Sequence, residues 1–106
     1  MENTSTAQFQ VNIGDIEMEF TTEAEVFSPQ RADRGTLAML SVVELEKQDK
    51  LLDLGCGYGL VGVWAAKQIG AEQVTMCDIS VTAVRVAKKN CERNGVDVAV
   101  YQSDGL

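Results

Sequence analysis

Leu51-Leu52-Asp53-Leu54-Gly55-Cys56-Gly57-Tyr58-Gly59 is the stretch whose reading decides the fold. Leu51 to Leu54 is a short apolar run between Lys50 and a glycine, the pattern of a buried parallel strand. Leu60 to Ile69 then reads as a helix, stopped by Gly70. Between them, three glycines in five residues let the main chain turn tightly at positive φ and let a ligand approach the backbone. The free amides that open the helix favour an anion or a hydrogen-bond acceptor. In open α/β sheets, ligands bind at the carboxyl ends of the strands, where this turn would sit.

The pattern continues downstream. Gln73 to Cys77 reads as a second strand. Ser80 is positioned to cap a helix with Ala83, Val84, Ala87 and Cys91 inward and Arg85, Lys88, Lys89 and Arg93 outward. Asn94-Gly95 ends it, and Val96, Val98, Val100 and Tyr101 make a third strand. Strand, helix, strand, helix, strand specifies an α/β fold with three parallel strands, a partial Rossmann-like arrangement. Upstream, Asp33 is placed to cap a helix running to about Gln48, with Leu37, Leu40 and Val43 on its inner stripe. Thr22 to about Arg31 reads as a loop containing Pro29, the only proline. Phe9, Val11 and Ile13, then Ile16, Met18 and Phe20, alternate with polar residues around Gly14-Asp15, which predicts a β-hairpin with one apolar face. The expected organisation is a disordered tail over 1–7, a hairpin over 8–22 and a single ligand-binding unit over 23–106.

Composition narrows the chemistry. The sequence has no histidine, so Ser-His-Asp and Cys-His catalysis are excluded within these residues. Cys56, Cys77 and Cys91 form no Cys-x-x-Cys pair and have no histidine to complete a zinc site, so they read as reduced, buried thiols. No apolar run is long enough to span a bilayer, and the polar N-terminus has no signal-peptide core, so the cytoplasm is the expected location. The net charge of −7 argues against a free-standing nucleic-acid binder, which ordinarily presents a basic face.

The glycine turn alone leaves its ligand open. Gly57-Tyr58-Gly59-Leu60-Val61-Gly62 also satisfies the dinucleotide pattern G-x-G-x-x-G, with Asp78 about twenty positions on. Asp53, two residues before Gly55, favours a cofactor with an amino acid end. Its carboxylate can reach an amino group, or tie down the turn, and would repel a pyrophosphate. Asp104 follows the third strand, where it could accept from an adenine amino group. Asp-x-Gly-x-Gly-x-Gly, an acid ending the second strand, and Ser103-Asp104-Gly105-Leu106 resemble the first three motifs of class I S-adenosyl-L-methionine-dependent methyltransferases. Val26-Phe27-Ser28-Pro29-Gln30-Arg31-Ala32-Asp33-Arg34-Gly35-Thr36 resembles the entry segment of the small methyltransferase domain family. That family methylates exocyclic amines of nucleobases in RNA and a glutamine amide in release factors.

The resemblance covers roughly residues 9–106 and implies N-methylation of a nucleobase or amide-type acceptor. It implies that Asp53, Gly55, Cys56, Gly57 and Gly59 surround the methionine portion of the cofactor. Asp78 would take the ribose hydroxyls, Ile79 would lie on the adenine ring, and Ser103 and Asp104 would meet the adenine edge. Phe27 and Thr36 would close over the cofactor. The family's Asn/Asp-Pro-Pro-Phe/Tyr motif, which holds the acceptor, has no counterpart here, because the sequence contains no Pro-Pro pair. Cofactor binding without a catalytic residue is therefore expected, in a domain cut before its fourth strand. An RNA or protein substrate would be met through parts not present. A non-catalytic cofactor-binding module and a NAD-dependent oxidoreductase fragment stay open as alternatives. The Leu51–Leu54 strand would be left as an open apolar edge through which the chain self-associates.

Overall fold

A computed structural model describes residues 6–23 and 34–103. Strands β1 (Thr6–Ile13) and β2 (Ile16–Glu23) form the antiparallel hairpin, with Phe9 opposite Phe20 and Val11 opposite Met18. Alternation buries Val11, Ile13, Met18, Phe20 and Thr22 on one face. Pairing runs further than expected. Thr6 and Ala7 lie opposite Glu23 and Thr22, so they belong to the hairpin and not to a tail.

Helix α1 (Arg34–Val42) buries Leu40, and Leu37 packs against the core. It stops well short of the expected Gln48, and Val43 and Glu44 are exposed. Local hydrogen bonding explains the early end. The Ser41 hydroxyl donates to the Ala38 carbonyl at 2.7 Å, and two β-branched valines follow. Asp49 then closes its own turn: its carboxylate accepts the Glu46 amide at 2.9 Å while its amide donates to the Glu46 carbonyl at 2.9 Å.

Strands β3 (Leu51–Leu54), β4 (Val74–Asp78) and β5 (Ala99–Gln102) form a parallel sheet in the order β3-β4-β5. Helix α2 (Leu60–Ile69) links β3 towards β4 through a short 3-10 turn, Ala71–Gln73. Helix α3 (Val81–Arg93) links β4 to β5. The Ser80 hydroxyl accepts the Ala83 amide at 3.1 Å, the cap expected from the sequence. Strand β5 starts later than expected because Gly95 and Val96 finish α3. Gly95 sits at φ 72°, its amide donates to the Glu92 carbonyl, and the Val96 amide donates to Cys91.

Both helices lie on one face of the sheet. Parallel register puts Leu51, Asp53, Val74, Met76 and Val100 on that face, and Leu52, Leu54, Thr75, Cys77 and Tyr101 on the other. The covered face holds the core, with Met76 and Val63 fully buried and Trp64 nearly so. On the other face Leu52, Leu54 and Tyr101 are more than half exposed. The Leu51–Leu54 run is thus half-buried on one face and exposed on the other, not buried on both as its composition suggests.

Candidate functional site

The turn between β3 and α2 is built from left-handed backbone. Gly55, Gly57 and Gly59 have φ of 70°, 57° and 101°, which L side chains rarely adopt. A Cβ at Gly55 or Gly57 would meet nothing within 4 Å, so these positions are glycine for conformation and leave the backbone approachable. Gly62 has a different reason. A Cβ there would collide with Met76, 2.7 Å from Cγ and 2.8 Å from Sδ, so it lets α2 lie directly on the sheet. The third glycine of the G-x-G-x-x-G pattern is therefore a packing residue.

Tyr58 points inward. Its ring meets Phe9 edge-on at 5.2 Å and Phe20 at 5.3 Å, so the hairpin grips the turn through aromatic contacts. Thr36, Asp53, Gly55, Cys56, Gly57, Tyr58, Leu60 and Val61 line a cleft of about 150 Å³. Thus α1, β3, the turn and α2 each contribute to one site. The N-cap of α2 is Gly59, which has no side chain with which to cap the helix.

Asp53 is the chemically unusual member. Its Oδ2 is buried with no hydrogen-bond partner. Burial pushes its carboxyl from the ordinary 3.8 up to about 6, helped by the charge of Asp78 and opposed by the Gly62 amide. Cys56 is pushed up to about 12 by burial and by the neighbouring Asp53 and Asp78 charges, so it is no nucleophile at neutral pH.

Asp78, not Asp53, ties down the turn. Its Oδ2 accepts the Gly57 amide at 2.9 Å, and its Oδ1 accepts the Ser80 amide at 2.9 Å. The carboxylate offers about four acceptor positions, so capacity remains after both bonds. Next to it, Ile79 is 70% exposed. The Ser103 amide donates to the Asp78 carbonyl at 3.0 Å, which brings the end of β5 to the same corner. Phe27 and Asp104 lie outside the described residues. Sequence reasoning gave no role to Tyr58, Leu60 or Val61 in the cleft, or to Asn90 behind it. The signal for Asn90 was available: it is a polar residue on the inward stripe of α3.

Residues 17–106 match the family model described as "Methyltransferase small domain". The chain belongs to the methyltransferase small domain family. Its fold is the corresponding Rossmann-like methyltransferase fold, with the hairpin in front. The ribosomal RNA small subunit methyltransferase C of Hahella chejuensis is 43% identical over 82 residues, 76% of this chain and 24% of that one. The "Uncharacterized protein YbxB" of Bacillus subtilis is 37% identical over 87 residues, 80% of this chain and 43% of its own. A solved structure titled T. Thermophilus 16S rRNA N2 G1207 methyltransferase in complex with AdoMet and guanosine superposes with a TM-score of 0.77 and 24% identity, over 97% of this chain and 29% of that one. The chain thus spans less than half the length of each of these relatives. No described helix is long and apolar enough to cross a membrane.

Proposed function

We propose that this chain is the S-adenosylmethionine-binding part of a methyltransferase acting on an RNA or protein amine or amide. Asp53 carries the reading. A buried carboxylate oxygen without a partner, at the lip of a glycine turn, calls for a cation. S-adenosylmethionine offers an ammonium group to it and supplies, when bound, an activated methyl on a sulfonium. A dinucleotide would set a pyrophosphate against Asp53 and Asp78. The glycine-capped α2 N-terminus suits the methionine carboxylate.

In this reading Gly55, Cys56, Gly57 and Gly59 form the bed of the methionine end, and Thr36 and Phe27 close over it. Asp78 keeps the turn in place and turns its remaining lone pairs to the ribose diol. Ile79, exposed beside it, receives the adenine face, and Ser103 and Asp104 meet the adenine edge. Phe27 and Asp104 enter from the motif resemblance alone. The 106-residue sequence has no Pro-Pro motif and no histidine, so methyl transfer is not assigned to its own residues. A binding module without catalysis remains the second reading on that ground. The cytoplasm is the proposed compartment, in keeping with three buried, unpaired thiols. The bare sheet face and the open β3 edge are proposed to bring two copies together.

Calorimetric titration of the chain with S-adenosylhomocysteine and, separately, with NAD tests the cofactor. Binding of the first and not the second is expected, with loss of binding in Asp53→Ala. Binding of NAD alone would overturn the assignment.

A further inference from the structure

Helix α3 substitutes for a strand along the hairpin's outer edge. Asn94 Oδ1 accepts the Glu19 amide at 3.0 Å, and its Nδ2 donates to the Glu19 carbonyl at 2.7 Å. One turn earlier, Asn90 Oδ1 accepts the Thr21 amide at 2.8 Å and its Nδ2 donates to the Thr21 carbonyl at 2.8 Å. Each side-chain amide thus presents a donor and an acceptor, as a neighbouring strand residue would. The spacing matches: four helical residues rise about 6 Å, and two strand residues advance about 6.7 Å.

The two asparagines differ in one bond. Asn94 spends its second N–H on its own helix, at the Asn90 carbonyl. Asn90 donates its second N–H to the Tyr58 carbonyl at 2.7 Å, inside the glycine turn. Asn90 is completely buried, and all its donors are used. Breaking that bond removes a buried tie from the residue flanked by Gly57 and Gly59.

We propose that Asn90 is a positioning residue of the cofactor turn, coupling the hairpin edge and the turn so that the hairpin sets cofactor affinity without lining the cleft. The affinity part rests on the cofactor assignment above, whereas the positioning part does not. Asn94, which makes the same edge bonds and never touches the turn, is the internal control.

The test has two arms. Amide hydrogen exchange of cofactor-free chains compares Asn90→Asp and Asn94→Ala with the unsubstituted protein. Faster exchange at Gly57 and Gly59 in Asn90→Asp, and not in Asn94→Ala, is expected. Asn90→Ser, too short to reach Tyr58, replaces Asn90→Asp should the buried carboxylate prevent folding. Titration with S-adenosylhomocysteine, at a temperature where circular dichroism shows each chain folded, is the second arm. Affinity should fall roughly tenfold in the Asn90 variant and stay within about twofold in Asn94→Ala. Unchanged turn exchange in the Asn90 variant, or equal effects from both asparagines, would overturn the proposal. Failure of the unsubstituted chain to bind S-adenosylhomocysteine strikes the cofactor assignment, and exchange then decides the role of Asn90 alone.

Discussion

The β3-β4-β5 sheet has two faces made of similar residues in opposite surroundings. Met76 and Val100 are sealed under α2 and α3, while Leu52, Leu54 and Tyr101 on the reverse are more than half exposed. Asp53 faces the helices and lines the cleft; Leu54, its neighbour, faces away. The helix-covered face contains everything needed to shape a cleft: packing, caps and paired amides. The reverse face buries Cys77 but leaves Leu52, Leu54 and Tyr101 as unfinished apolar surface. Stability and site geometry should therefore respond to substitutions on one face, and association to substitutions on the other.

The sharpest contrast comes from the hairpin that finishes the covered side. Phe20, 1% exposed, touches Phe9 at 5.9 Å and Tyr58 at 5.3 Å. Phe20→Ala should cost about 3–5 kcal/mol in urea unfolding, against less than about 1 kcal/mol for Leu54→Ala. Comparable losses would erase the distinction between the faces.

Gly62→Ala probes the same side at closer range. The added methyl must displace Met76, at an expected cost of about 1–3 kcal/mol. Combined with Met76→Ala, which has its own cavity cost, the two losses should be clearly less than additive, because the second substitution empties the space the methyl needs. Additive losses would mean that the collision lies elsewhere.

Next is pH. Asp53 must be ionised to hold an ammonium group, and its carboxyl sits at about 6 in the free chain. S-adenosylhomocysteine affinity should fall roughly tenfold from pH 7 to pH 5, and Asp53→Asn should bind weakly with a flat profile. The stability contribution of the same group has the opposite sign. It is fully present below the ordinary 3.8 and lost as pH rises through about 6, because the fold favours the protonated form. Titrations at several pH values, paired with urea midpoints of the cofactor-free chain, read both slopes. Slopes of equal sign would remove Asp53 from the binding role.

Leu54→Lys should have the smallest effect on the fold, within about 0.5 kcal/mol. Sedimentation velocity should show the unsubstituted chain associating and Leu54→Lys monomeric. A monomer for both at high concentration would dispose of the self-association proposal.

The local parts of this architecture were legible in the sequence. Glycine spacing located the turn, alternation located the hairpin, and Ser80 and Gly95 located the ends of α3, because each depends on a few neighbouring residues. The end of α1 was not legible, because the Glu46–Asp49 turn competes with helical hydrogen bonds that the pattern also permits. The bare face was hidden for another reason: Leu51 to Leu54 reads as buried whether one face is covered or two. At the site, Asp53 was recognised as a carboxylate at the turn, but tethering the turn falls to Asp78, 21 residues from Gly57. Tyr58 and Asn90 went unassigned because their roles depend on partners in the hairpin, far away in sequence.

That distance matters for how the chain is made. The hairpin leaves the ribosome before α3 does, yet its outer edge is satisfied by residues 69 and 75 positions further on. A lone two-stranded hairpin is marginal in water. Until Asn90 and Asn94 are synthesised and wound into α3, Glu19 and Thr21 keep an unpaired edge beside an apolar face. Helix α3 thus acts as a latch on the earlier-made hairpin, and sets the earliest moment at which that hairpin can stop being a hazard to its neighbours.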